Sequence, residues 1–66
     1  MVRNYYVVKK DDMWRVKLEA GQYVSRHNKQ ARAVQEAKRL ARNNNRGVTV
    51  NAAAGYTRFS INKDEL

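Results

Sequence analysis

Apolar and polar residues alternate along the first third of the chain in a pattern that predicts two antiparallel β-strands. Residues 2–9, VRNYYVVK, are rich in β-branched and aromatic side chains, which favour strands. Residues 14–19, WRVKLE, alternate strictly between apolar and charged side chains, as expected of a strand with one buried face. Residues 10–13 include two adjacent aspartates, whose side chains accept hydrogen bonds from nearby backbone N–H groups in turns. The segment therefore predicts a hairpin.

The alternation identifies the inward face of the second predicted strand but not that of the first. In residues 14–19 all the apolar side chains share one face. In residues 2–9 both faces carry tyrosine and valine, so either Val7 or Val8 points inward. Residues 23–24 extend the pairing briefly after a bulge or turn.

Residues 28–47 carry the apolar repeat of an amphipathic α-helix, with small and apolar side chains on one side. We place its N-cap at Asn28, whose side-chain oxygen accepts hydrogen bonds from the first turn, with Ser25 as the alternative. Its end is marked by the asparagines at 43–45, which tolerate the left-handed conformation, and by Gly47, which prefers it.

Two further strands follow the helix, at residues 48–51 and 56–62, with a loop at 52–55 between them. The order β-β-α-β-β predicts an α+β fold with one helix packed on one face of a small, mostly antiparallel sheet. Residues 1–66 are expected to form a single domain. The predicted core consists of Val8 or Val7, Trp14, Val16, Leu18, Val34, Ala37, Leu40, Ala41, Val48, Val50, Phe59 and Ile61.

The net charge is the property of the composition that says most about function. The chain has 14 Lys and Arg against six Asp and Glu, which gives a net charge of +8. Residues 26–58 contain eight basic residues and one acidic residue, Glu36, which gives 8 − 1 = +7 for this segment. A basic excess concentrated in one part of the chain is typical of nucleic-acid-binding proteins.

The residue types that carry most enzyme chemistry are missing. There is no cysteine, and His27 is the only histidine, so the sequence predicts no nucleophile with base and orienting group, no metal site and no cofactor. The sequence contains no glycine-rich phosphate loop and no apolar run of about 20 residues that could span a membrane. We expect a cytoplasmic protein that is not an enzyme.

The first candidate surface is the outer side of the predicted helix, where arginines recur at spacings of three and four. The guanidinium fork donates two parallel hydrogen bonds to phosphate, and Gln35 and Asn43 could reach base edges. The alternative is an ordinary solvated face, which every amphipathic helix has. The candidate residues are Arg32, Arg39, Arg42 and Arg46, flanked by Lys29 and Lys38.

The second candidate surface is the open face of the sheet, where aromatic rings among basic side chains could stack on unpaired bases. The alternatives are a solvated outer face and a homodimer interface through the tyrosines. The residues expected there are Arg15, Lys17, Arg58, Thr49, Tyr56 and either Tyr5 or Tyr6.

These surfaces favour a small nucleic-acid-binding domain that contacts mainly the phosphate backbone, with DNA and RNA both open. The rival hypothesis is a protein-interaction module or inhibitor, in keeping with a phage-encoded chain, that acts on a host protein handling nucleic acid.

The order of motifs resembles a family of short bacterial and phage domains of unknown function. Its members follow V-V-x-x-D-G-W-x-V, a helix T-Q-A-E-A-I-x-x-A-R-E-L-A, and a closing V-x-V-H-x-x-D-G hairpin. The matching segments here are VVKKDDMWRVK at 7–17, QARAV at 30–34 with Ala37, Leu40 and Ala41, VTV at 48–50, and Gly55.

The resemblance implies the same β-β-α-β-β order and carries over no activity and no catalytic residues. This chain departs from the pattern in the direction of positive charge. Arg32 and Arg39 replace helix positions that tend to be glutamate, and Ala54 replaces the aspartate before the last glycine. These departures indicate a helix surface suited to a polyanion.

Overall fold

The computed structural model describes residues 4–19 and 21–66, which form five strands, one α-helix and a short 3-10 helix. The elements are β1 (Tyr5–Lys10), β2 (Met13–Leu18), β3 (Tyr23–His27), α1 (Gln30–Asn43), β4 (Val48–Asn51), β5 (Thr57–Ile61) and the 3-10 helix Lys63–Glu65. The predicted class, one helix on one face of a small, mostly antiparallel sheet, is confirmed. The sheet has one strand more than the predicted β-β-α-β-β order. Val2 and Arg3, placed in the first predicted strand, lie outside the described residues.

The strands lie in the order β3-β2-β1-β4-β5. Only β1 and β4 are parallel, and the other three neighbouring pairs are antiparallel. The helix connects the edge strand β3 to β4 and packs over β1, β2, β3 and β4. One face of the sheet is therefore covered by α1, and the other face, which we call the open face, carries no layer among the described residues.

The turn between β1 and β2 consists of two residues in the left-handed conformation, Asp11 at φ 53° and Asp12 at φ 63°. Two consecutive positive φ values define the turn whose twist matches that of a two-stranded ribbon. Aspartate tolerates this conformation better than most residues. The predicted turn is confirmed, and backbone twist is its physical basis.

The core lies between α1 and the centre of the sheet. The four strand valines Val7, Val16, Val48 and Val50 are completely buried, and so are the helix residues Ala33, Ala37 and Ala41. The three alanines are spaced four residues apart, and their small side chains let the helix axis come close to the sheet. The short side chains of the strand valines therefore fill the space between the helix and the sheet. Val7, not Val8, is the inward residue of β1.

The predicted core includes residues at its margin that are only partly buried, or exposed, in the structure. Trp14, Leu18, Val34 and Leu40 are only partly buried around the core. Phe59 is 43% exposed, so its assignment to the core was wrong. It pairs with Val50 and so shares the covered face, but β5 is an edge strand beyond the main contacts of α1.

Strand β3 is the element that the sequence pattern missed beyond residues 23–24. Its pairing with β2 shifts between Val16 and Lys17, where β3 contains one extra residue. The shift interrupts the alternation of faces on which a strand prediction depends. Pairing then continues as far as Trp14 opposite His27.

The helix begins later than its predicted cap, and it ends at the asparagines that were predicted to mark its end. Because β3 continues through His27, the N-cap is Lys29, not Asn28, and no side chain caps the first turn. At the other end Asn45 has φ 56°, and the Arg46 N–H donates to the Ala41 carbonyl at 2.8 Å. The left-handed residue is therefore Asn45 and not Gly47.

Candidate nucleic-acid interface

Acidic residues are absent from all five strands, whereas the strands carry six lysines and arginines. The acids among the described residues lie in the β1–β2 turn, after β2, on α1 and in the 3-10 helix. A sheet face built from these strands is therefore cationic without internal charge compensation. The six basic strand residues are Lys9, Lys10, Arg15, Lys17, Arg26 and Arg58.

The strand register determines which of these cations reach the open face. Side chains alternate between the two faces along a strand, and Val7 and Val16 point to the helix. Lys9 shares the covered side of β1 and lies 6.0 Å from the Trp14 ring centroid. The open face carries Tyr6, Val8 and Lys10 of β1, Arg15 and Lys17 of β2, Tyr23 and Arg26 of β3, and Thr49 of β4.

Two tyrosines flank a lysine on the open face. Lys17 pairs with Tyr6 on one side and with Tyr23 on the other. Beyond Tyr6 the same row continues to Thr49 and Ser60, whose hydroxyl oxygens lie 3.3 Å apart. The row thus crosses the whole sheet, with its aromatic and charged part on β1, β2 and β3.

Tyr23 is the most exposed aromatic residue of the open face, at 41%. The Lys10 ammonium lies 5.2 Å from its ring centroid, and the Arg15 guanidinium lies 5.4 Å from it. Both distances are within the range of cation–π attraction. Arg15 Nε is buried and has no hydrogen-bond partner among the described residues. The cluster therefore holds two cations beside an accessible ring.

The arginines of the predicted helix stripe do not form one free surface. Arg32 and Arg42 are exposed, but Arg39 donates to the Glu36 carboxylate, with 2.9 Å between Nε and Oε1. Arg46 lies beyond the end of α1, with its guanidinium 5.4 Å from the Tyr5 ring centroid. Lys38 is partly buried.

Arg58 lies away from the open face on which it was expected. Its guanidinium donates to Gln30 Oε1 at 2.7 Å, and the Gln30 amide donates to the Asn51 carbonyl at 3.2 Å. These contacts bring Arg58 to the start of α1, on the covered side of the sheet. The shift in pairing between Val50 and Asn51 explains the change of side, because it inserts one extra residue in β5.

An open cleft of about 510 Å³ lies where β3 meets the start of α1. Three basic side chains line it, and no acidic residue does. The uncapped first turn of the helix adds backbone N–H groups at this end of α1. The lining residues are Met13, Arg26, His27, Asn28, Lys29 and Arg32.

The residues predicted for this surface did not include Lys10, Tyr23 or Arg26. Tyr23 was predicted only as a brief extension of the pairing, Arg26 lies in the part of β3 that was missed, and Lys10 was assigned to a turn. The alternation from Tyr6 through Val8 places Lys10 on the open face, whereas the register shift in β3 leaves no sequence signal for Tyr23 and Arg26.

Ser25 and His27 form the one serine–histidine contact found in the part of the chain that the structure describes. Ser25 Oγ lies 3.1 Å from His27 Nε2, and no carboxylate there is hydrogen-bonded to the ring. The pair therefore lacks the third group that orients a catalytic imidazole. Among residues 4–19 and 21–66, no group of three or more His, Asp or Glu side chains is arranged to hold a metal. None of the helices in these ranges has the length and apolarity to span a membrane.

Residues 5–52 match the family described as "Uncharacterized protein conserved in bacteria (DUF2188)". The matched segment covers β1 through β4 and contains the open-face cations and the cleft. Strand β5 follows the matched segment. The match confirms the resemblance to short bacterial domains of unknown function. Comparisons with curated proteins and with solved structures gave no match.

Proposed function

The chain belongs to the uncharacterized bacterial family DUF2188, and we propose that it is a small non-enzymatic domain that binds nucleic acid in the cytoplasm. Binding takes place mainly through the phosphate backbone and depends little on base sequence. The family description assigns no activity, so the proposal depends on the surface chemistry of the described residues.

The observation that carries the proposal is the uncompensated charge of the open face. Lys10, Arg15, Lys17 and Arg26 share this face, and no strand contributes an acidic side chain to it. A folded domain gains nothing from collecting like charges on one surface, because they repel each other. A polyanion with regularly spaced phosphates compensates them and releases its own counterions on binding.

The cleft extends this surface around the edge of the sheet. Arg26 belongs to the open face by register and also lines the cleft, where it meets Lys29 and Arg32. A phosphate backbone that crosses the open face can therefore continue over β3 to the start of α1. Helix N-termini favour phosphate groups through their free N–H groups.

The outer side of α1 is a weaker candidate for the main contact. It lies on the opposite side of the molecule from the open face, so a short nucleic acid contacts one surface or the other. Arg39 already has an acidic partner there. Arg42 remains a peripheral contact for a longer ligand.

Binding across a salt series tests the proposal. Fluorescence anisotropy with labelled duplex and single-stranded DNA and RNA should give affinities that fall steeply as salt rises. If the four open-face cations contact phosphates, the slope of log K against log salt is about −3. No binding at low salt, or affinity independent of salt, would contradict the proposal.

A matched pair of lysine variants locates the contact. Lys17→Ala removes a cation from the open face and is expected to reduce the magnitude of the salt slope by about 0.7–0.9. Lys9→Ala removes the same charge from the covered side, and its slope should stay near that of the unaltered protein. Equal effects of the two variants would show that only net charge matters.

The exposed edge of the sheet favours protein interaction as a second candidate function. Phe59 is 43% exposed on edge strand β5, and Tyr56 before it is 66% exposed. A strand edge with accessible aromatic side chains can pair with a strand of another protein. Light scattering would detect a homodimer, and a nuclease-treated pull-down at moderate salt would detect a protein partner. Phe59→Ser should abolish the homodimer or the binding of a protein partner, whichever is detected.

A further inference from the structure

We propose that the open face binds single-stranded nucleic acid and that unpaired bases stack on Tyr6 and Tyr23. This inference rests on the proposed function and adds to it the type of nucleic acid and the groups that distinguish it. Stacking on aromatic side chains is tolerant of sequence because every base has a π face.

The distance between the two tyrosine rings suits bases that are not stacked on each other. Tyr6 and Tyr23 lie on β1 and β3 with Lys17 of β2 between them, so about 10 Å separates them at a strand spacing of about 4.8 Å. Successive nucleotides of one strand in a duplex are about 3.4 Å apart along its axis. Two rings at this separation engage splayed bases, and Lys17 is placed for the phosphates between them.

The cations beside Tyr23 do not prevent a base from stacking there. Lys10 and Arg15 lie 5.2 and 5.4 Å from the ring centroid, and cation–π attraction at an exposed ring is weaker than base stacking on it. Arg15 also leaves its buried Nε without an acceptor in this position. A base that takes the ring face therefore moves Arg15 toward a phosphate oxygen that can accept its hydrogen bonds.

The shape of the sheet disfavours a duplex. Five strands at a spacing of about 4.8 Å are about 19 Å across, whereas the major groove of B-DNA is about 12 Å wide. The β1–β2 hairpin alone is narrow enough to enter a groove. Its tip carries Asp11 and Asp12 next to Lys9 and Lys10, so these charges cancel and the tip offers no net attraction to the phosphates on both sides of the groove. A flexible single strand avoids both obstacles by lying across the open face.

The test compares three probes of equal length, about 12 nucleotides, which is within the range of known single-strand site sizes. They are labelled oligothymidylate, an abasic oligonucleotide with the same phosphates, and a duplex. Anisotropy titrations at one low salt concentration should show tighter binding of oligothymidylate than of the other two.

Substitution of Tyr23 separates stacking from charge. Tyr23→Leu should weaken binding of oligothymidylate about fivefold or more and leave binding of the abasic probe unchanged. Tyr23→Phe keeps the ring and should retain the affinity. Phe59→Leu is the matched control, since Phe59 is exposed to a similar extent, 43% against 41%, on the other side of the sheet. It should change neither affinity.

The outcomes distinguish base stacking from phosphate binding alone. If Tyr23→Leu weakens both single-stranded probes equally, or if the duplex binds as tightly as oligothymidylate, stacking is wrong and phosphate binding stands. If the unaltered protein binds no probe, the proposed function and this inference fall together. Thermal melts of each variant show whether a loss comes from unfolding.

Discussion

Gly47 illustrates how a single residue limits the packing of the sheet. It is buried just before β4, and its carbonyl accepts a hydrogen bond from the Tyr5 N–H at 2.9 Å. A Cβ at this position would lie 2.7 Å from the Ile61 carbonyl oxygen and 2.9 Å from Asn4 Oδ1. The glycine is therefore needed for the close approach of β5 and the residue before β1.

Gly47→Ala is expected to destabilise the protein by about 1–3 kcal/mol, because backbone atoms of β5 must move to admit the methyl group. Chemical denaturation followed by circular dichroism measures the change. Asn45→Gly, two residues earlier, is the contrasting variant, since it relieves a positive φ of 56° and should be neutral or slightly stabilising. Equal effects of both variants would contradict the packing argument.

At the residue scale, the sequence predicted which segments turn but not which residue adopts the left-handed conformation. A glycine can be needed for a positive φ or for the close approach of another segment of the chain. The neighbouring residues in the sequence do not distinguish these two uses. Gly47 was assigned the first use and has the second. Phe59 was misassigned for a related reason, because strand alternation shows the face of a side chain and not whether another layer covers it.

At the scale of elements, regular periodicity decided what could be predicted. The helix and strands β1, β2, β4 and β5 have clear patterns and were found. Strand β3 was cut short because its five residues, YVSRH, contain a register shift and few apolar side chains. The omission hid part of the candidate site, since the place of Tyr23 beside Lys17 depends on pairing that the chain order alone does not show.

Helix α1 begins without a side-chain cap and without acidic residues in its first turn. Lys29→Ser introduces a good N-cap acceptor and removes a charge that opposes the helix dipole, so it should stabilise the protein by about 0.5–1 kcal/mol. The same change removes a cation from the cleft and should weaken binding of single-stranded DNA. A paired denaturation and anisotropy measurement checks both effects, with Asn28→Ser as the control, one residue before the cap.

If Lys29→Ser leaves nucleic-acid affinity unchanged, the cleft does not contribute to binding. If Lys29→Ser also fails to stabilise the protein, Lys29 is not the N-cap and the helix does not begin at Gln30. A gain in stability with a loss in binding is the result expected where a residue is retained for its ligand and not for the fold.

At the scale of the whole molecule, a net charge of +8 on 66 residues is a source of repulsion that the fold does not compensate. A single salt bridge occurs among the described residues, between Arg39 and Glu36, and both partners belong to α1. Elements of the described structure are therefore held to each other by apolar contacts and hydrogen bonds, and charges act mainly by repelling one another.

This repulsion predicts that sodium chloride stabilises the free protein. At about 0.1 M salt the screening length is about 10 Å, and it shortens as salt rises, so the melting temperature should increase by a few degrees toward 1 M. The double variant Arg32→Gln and Arg42→Gln lowers the net charge from +8 to 8 − 2 = +6. It should melt higher at low salt and respond less to added salt.

The same measurement tests whether a nucleic acid compensates the charge of the open face. If the open face binds single-stranded nucleic acid as proposed, an oligonucleotide at an ionic strength matched with sodium chloride should raise the melting temperature further, because a ligand that binds only the folded state stabilises it. Lys17→Ala should reduce this additional increase, whereas Lys9→Ala should not, although both lysines lie on the sheet. A melting temperature that depends on ionic strength alone would show that the charge is compensated by small ions and that the open face binds no polyanion.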